Sequence, residues 1–172
     1  MTTRHAVTST LLIAGTLLLM ASTPAVPKLR DGAPSSDALI SRFLDALERR
    51  DATALHALRV DEREYLDVIL PGSVEKGQPR RRWPEDVSRY FWSEIDSKSL
   101  YSEEALLQAW GGKHWALRGV EYERGTKQYA TYTAHRQVRL TLAGEDGQEM
   151  VLATGSIAEL GGRFKFLSYK RD

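Results

Sequence analysis

From Asp37 to Arg50 the apolar positions are Leu39, Ile40, Phe43, Leu44 and Leu47. An i, i+1, i+4, i+5, i+8 spacing predicts a helix with one buried face, capped by Ser36 or Asp37. Asp51 ends it and caps a short second helix carrying Leu55 and Leu58. In Asp61-Glu62-Arg63-Glu64 a capping acid is followed three residues on by a glutamate; Tyr65, Leu66 and Ile69 continue at helical spacing, and Pro71-Gly72 stops the run. Pro84 suits the first position of the next helix, with Glu85 and Asp86 at its positive end and Val87, Tyr90, Phe91 and Ile95 as its stripe. Ser102 is expected to cap a last short helix bearing Leu106, Leu107 and Trp110, ended by Gly111-Gly112.

After Gly112 the period becomes two. Strands are expected over residues 114–123, 128–142, 148–160 and 163–169, separated by Gly125-Thr126, Asp146-Gly147 and Gly161-Gly162. If each turn is a two-residue loop, one face collects Trp115, Leu117, Tyr132, Ala134, Val138, Leu140, Leu142, Val151, Ala153, Ile157, Phe164 and Phe166. The other face takes His114, Arg118, Tyr122, Thr133, His135, Arg139, Thr154 and Ser156, and is largely polar. The fold class this predicts is α+β: N-terminal helices packed on a curved four-stranded antiparallel meander.

Length and charge narrow the function classes. The 172 residues suffice for one domain with its own core. Lys plus Arg number 24 against 23 Asp plus Glu, a net charge of +1, far from the excess of a protein that neutralises many phosphates. The arginines of "GQPRRRWPED" therefore read as a solvated loop before a helix, and no nucleic-acid partner is expected. Residues 1–25 join Arg4 and His5, an apolar run and Thr23-Pro24-Ala25, the layout of a secretory signal; an uncleaved anchor is the alternative and the only expected membrane contact. A secreted, periplasmic or envelope location follows. Residues 26–35 read as a linker and 36–172 as the domain. No cysteine is present, so the fold stands on its hydrophobic core.

Two stretches, "LISRFLDALERRDATALHAL" and the closing "GGRFKFLSY", make the chain resemble the nuclear transport factor 2-like superfamily, which includes ketosteroid isomerases and SnoaL-like polyketide cyclases. The resemblance covers residues 36–169. It implies a cone-shaped fold, a pocket between sheet and helices, and dimers formed through the outer sheet face. The isomerases use an acidic base with a tyrosine and an acid as oxyanion donors; no position here matches that set, so no catalytic residue is carried over. Residues 71–83 depart from the short enzyme members and are placed to cover the cone mouth.

The register brings candidate chemistry to the core face. Arg136 falls diagonal to Glu159 and near Trp115, and an inward arginine needs a partner. Tyr132, Arg136, Glu159 and Glu121, with Tyr65 and Trp115, form a candidate pocket in which Arg136 could hold a carboxylate or phosphate bidentately. Alternatively, a bulge in "AHRQV" shifts the register and turns Arg136 to solvent. His114 and His135 fall diagonal on the outer face without a third ligand, so neither a metal nor a cofactor is expected. A nucleophile elbow and a phosphate-binding glycine loop are absent. The expected function is non-enzymatic: binding of a small apolar or anionic ligand, or dimer or protein interaction. The alternative is a SnoaL-like isomerase, cyclase or hydrolase with Glu121 or Glu159 as general base.

Overall fold

The computed structural model describes residues 28–170; the expected signal segment lies outside them. Helix α1 spans Ser36–Glu48, with Ser35 as N-cap accepting from the Ala38 amide. α2 (Ala52–Ala57) is capped by Asp51, and α3 (Glu62–Glu64) opens on a full capping box between Asp61 and Glu64. A π-helical turn, Tyr65–Ile69, leads into α4 (Leu70–Gly72). A single helix, α5, runs Glu85–Trp110. Ser102 is thus an interior residue rather than a cap: its hydroxyl donates to the Lys98 carbonyl one turn back, so the local competition that favours caps is satisfied within the helix.

Five strands follow: β1 (Ala116–Tyr122), β2 (Thr126–Gln128), β3 (Thr133–Ala143), β4 (Glu149–Leu160) and β5 (Arg163–Tyr169), paired antiparallel in the order β1-β3-β4-β5, with β2 also on β3. The architecture is α+β, N-terminal helices on a mostly meandering antiparallel sheet. β1 and β2 are two pieces of one interrupted lane. Gly125 makes the jog between them at φ 62°, and the reversal falls at Tyr129–Tyr132, where the Tyr129 amide donates to the Tyr132 carbonyl. The expected first hairpin turn at Gly125-Thr126 is therefore displaced.

The Asp146-Gly147 turn has one residue more than expected. The Gly144 amide donates to the Gln148 carbonyl and Gly147 sits at φ 75°, a three-residue loop. One extra residue reverses the faces of the following strand, so Leu152 and Thr154 are buried while Val151 is 49% exposed, opposite to the assignment from two-residue loops. The Gly161-Gly162 turn is the two-residue loop expected: Leu160 pairs with Arg163, both glycines have positive φ, and Phe166 is fully buried.

One cluster of the core unites α1 through Phe43 and Leu47 with Val138, Leu140, Leu142, Leu152, Ile157 and Phe166. A second joins Tyr65, Val68 and Ile69 to Tyr132, Ala134, Ala158 and Leu160. Successive residues of β4, Ile157 and Ala158, enter different clusters, so this corner of the sheet is covered on both faces. Residues 28–35 pack rather than tether. Leu29 and Ala33 are buried, and Ala33 exchanges backbone hydrogen bonds with Phe164 on the outer edge of β5, which Leu58 and Val60 extend through Phe166.

Candidate functional site

The six expected pocket residues do not converge. In "AHRQV" the register slips between His135 and Val138, with Gln137 at φ 53°, so the bulge alternative is the one the backbone adopts. It separates Tyr132 and Ala134 from Val138 and Leu140, which join different clusters. Arg136 does not meet Glu159. Its Nη2 donates to the Arg124 carbonyl, and its Nε is buried without a hydrogen-bond partner. Glu121 is exposed, opposite Arg139 on the neighbouring strand. Trp115 packs on Trp110 and donates from Nε1 to its carbonyl.

Glu159 takes a different partner. His135 Nε2 lies 3.0 Å from Glu159 Oε2, and His135 Nδ1 lies 3.2 Å from Thr126 Oγ1. One tautomer satisfies both contacts, with the Thr126 hydroxyl donating to Nδ1 and Nε2–H donating to the carboxylate. Cross-strand pairing aligns the three, since Thr126 pairs with His135, and Glu159 lies two residues beyond Ile157, the partner of His135 on β4. The Tyr122 ring stands 4.9 Å from the imidazole, and its hydroxyl meets Ser36 Oγ at the start of α1.

Tyr65 and Tyr132 do share one cluster, around the π-helical turn. A π-turn leading into Pro71 leaves carbonyls without their usual donors. Thr131 Oγ1 donates to Val68 O, Ser73 Oγ to Ile69 O, and Arg80 to Asp67 O. Arg80 thus caps a helix, while Arg81 lies over the Trp83 ring at 3.8 Å. Residues 73–83 run against β2 and the Tyr129–Tyr132 reversal, through a Glu75–Tyr129 bridge and a Lys127–Glu75 ion pair. Ser73 Oγ meets the Tyr132 hydroxyl at 2.9 Å. Burial pushes the Tyr132 phenol up to about 12 and also raises Tyr65. Thr131 leaves no room for a side chain at Gly72, whose added Cβ would lie 1.8 Å from Thr131 Oγ1.

Open clefts lie elsewhere. A cavity of about 700 Å³ separates the C-terminal half of α5 from the first half of β4, lined by Tyr101, Ala105, Leu106, Ala109, Val151 and Ala153 among others. A second, of about 620 Å³, shares Tyr101, Ser102 and Lys170 with it and extends past Ile95 to Gly155 and Ser168. Both volumes lie in the range of ligand-binding clefts. The groove exists because β5 pairs with β4 only from Gly155 onward, while Ser102, Ala105 and Ala109 on the facing stripe of α5 are small.

Buried chemistry fixes its width. Arg59, 1% exposed, joins Glu103 of α5 through Nε and Asp96 through Nη2 at 2.9 Å. Ser99 Oγ accepts from the Tyr169 amide, and the Tyr169 hydroxyl donates to the Leu55 carbonyl. Desolvation, with Glu103 nearby, raises the Tyr169 phenol well above its ordinary value. Neither the small stripe nor the uncharged run "MVLAT" was singled out in the sequence. Ala and Ser at helical spacing among larger residues, and the uncharged stretch Met150–Ser156 of β4, mark the two walls in the sequence but not the space between them.

Among the described residues no group of three or more His, Asp or Glu side chains is placed to hold a metal ion, and no helix is long and apolar enough to cross a membrane. Comparison with family models, with curated proteins and with solved structures returns no match.

Proposed function

We propose that this domain is a non-catalytic binding module that works through the groove between α5 and β4. The carrying observation is where the open space lies. Phe43, Leu47, Ile157 and Phe166, all fully buried, occupy the contact between α1 and the sheet, whereas the α5 groove is open and rimmed by exposed Tyr101 and Val151. Exposed apolar surface beside a preformed cleft is the usual mark of a binding site. The order of helices before a meander supports a nuclear transport factor 2-like relationship, and the expected signal segment supports action outside the cytoplasm.

Titration with 1-anilinonaphthalene-8-sulfonate tests the reading. The full chain is expected to enhance the dye's fluorescence, and Ala105→Phe, which fills the groove from a helix wall, to weaken dye binding about fivefold. Equal dye binding by both chains would discard the groove as a binding surface.

One observation favours catalysis instead: Thr126, His135 and Glu159 stand in the order hydroxyl, imidazole, carboxylate used by acyl-transfer enzymes. In that reading His135 is the base and Glu159 its orienter. p-Nitrophenyl acetate hydrolysis lost in both His135→Ala and Thr126→Val would support it, and hydrolysis indifferent to either change would remove it.

A further inference from the structure

We infer that the lane along Met150–Thr154 receives one extended polypeptide segment of a partner protein, which adds to the sheet as a strand antiparallel to β4; this inference rests on the groove reading above. β5 occupies that lane beside Gly155–Leu160 and stops, its last contact being the Lys170 amide on the Thr154 carbonyl. Among the described residues β4 pairs beyond that point with β3 alone, through Arg139–Ala143. A strand with one edge unpaired offers alternating amides and carbonyls, and extended peptides bind by completing such ladders.

Three features select this occupant. A segment following the β5 lane inherits its antiparallel alignment, so the site continues an interface the fold already makes. The lane is walled by α5, whose Tyr101, Ala105, Leu106 and Ala109 line the cavity with Val151, Leu152 and Ala153. Side chains on the inner face of the added strand would meet Leu152, Leu106 and Trp110, so every second position should be apolar. The lane itself is undefended, since Met150 to Ser156 contains no charged residue.

The test uses the full chain and an array of octapeptides in which valine, leucine, isoleucine or phenylalanine alternates with threonine. The tightest binder is then remade with N-methyl groups on either its odd or its even amides. Methylation of the amides that face β4 is expected to weaken binding about tenfold or more, and methylation of the other set to leave it nearly unchanged. Ala105→Phe should weaken the unmodified peptide about tenfold as well. Equal sensitivity of the two methylated sets, or no octapeptide binding below about 1 mM, would overturn the strand. If the dye still reports a groove blocked by Ala105→Phe while the peptides fail, the groove reading survives and the strand does not. If neither dye nor peptide responds to Ala105→Phe, both fall. A concentration-dependent dimer that Ala105→Phe dissolves would also overturn the inference, by making the occupant a second copy.

Discussion

Strand β1 carries Arg118 and Glu121 on a broken edge, its register slipping at Leu117–Gly119, and Glu123 and Arg124 follow directly. The unpaired half of β4 reads Glu149-Met150-Val151-Leu152-Ala153-Thr154, its one charge at the first residue and its bulge at Thr154, which Val138 and Arg139 straddle by pairing with Gly155 and Ala153. Both stretches expose apolar side chains to a similar degree, Leu117 at 39% and Val151 at 49%, so exposure does not distinguish them. What differs is the defence. Charges and bulges are the usual means by which an edge avoids pairing with another chain, and both strands have a bulge, but only β1 carries charges mid-strand, where β4 runs uncharged from Met150 to Ser156. Beside that run β4 faces α5 across the cavity. The comparison separates an edge built to be left alone from one built to be filled.

Gly155 defines where the second edge begins, and changing it should have the largest effect. Its φ is +112°, and an added Cβ would lie 2.1 Å from the Ser168 carbonyl oxygen, a backbone atom that cannot step aside. Gly155→Ala is expected to destabilise the fold by about 3 kcal/mol or more, read from urea unfolding followed by circular dichroism. A loss below about 1 kcal/mol would show that β5 can end elsewhere, and the boundary between paired and open lanes would lose its meaning.

Each end of the sheet also holds a buried phenol, Tyr132 at the β2–β3 reversal and Tyr169 where β5 stops. The folded Tyr132 titrates at about 12 against an ordinary 10.0, so the fold favours its protonated form. Its stabilisation is therefore complete below pH 10 and fades as pH rises through 12. The full shift corresponds to about 3 kcal/mol. Urea midpoints should fall between about pH 9 and about pH 11.5, with Tyr132→Phe and Tyr169→Phe each removing part of the slope. An unchanged slope in both variants would assign the alkaline loss to neither end.

How much of this was legible follows from which rule governs each element. The buried stripe of helix α1 and the Gly161-Gly162 hairpin were read correctly because a 3.6-residue period and a two-glycine turn each imply one geometry, while the cap of α1 falls at Ser35 rather than at Ser36 or Asp37. The first half of β4 was assigned to the wrong faces because a three-residue loop at Glu145–Gly147 and a two-residue loop share the same Asp-Gly signal and differ by one residue of register, whereas Ile157, beyond the bulge at Thr154, faces the core as expected. The expected Arg136–Glu159 pair fell with the same logic: left-handed Gln137 shifts β3, and His135 arrives at Glu159 instead. Bulges are decided by packing across strands, which a single strand's pattern does not encode. The groove was invisible because it depends on where β5 stops relative to α5, a distance between elements remote in sequence.

Neutralising the defended edge should convert it into the undefended kind. The double change Arg118→Val, Glu121→Val leaves the bulge but removes two charges from β1, and it should make the chain associate at concentrations where the parent is monodisperse, with a stability change under about 1 kcal/mol. Sedimentation velocity across a concentration series reads the outcome. A variant that sediments like its parent would show that the bulge alone suffices to blunt β1.

The smallest expected effect comes from the reverse exchange, Val151→Lys, which gives β4 the kind of residue β1 already has. Val151 is half exposed, so the substitution removes little buried surface and should change stability by no more than about 0.5 kcal/mol. The unfolding curves of parent and variant should superimpose. Binding should not. A lysine in the lane must lose part of its hydration when a strand is laid beside it, and octapeptide affinity is expected to drop several-fold while the fold is untouched. A loss of binding with unchanged stability places the effect at the edge itself. A matching loss of both would mean that Val151 supports the packing of β4, and that the contrast between the two edges is one of stability rather than of access.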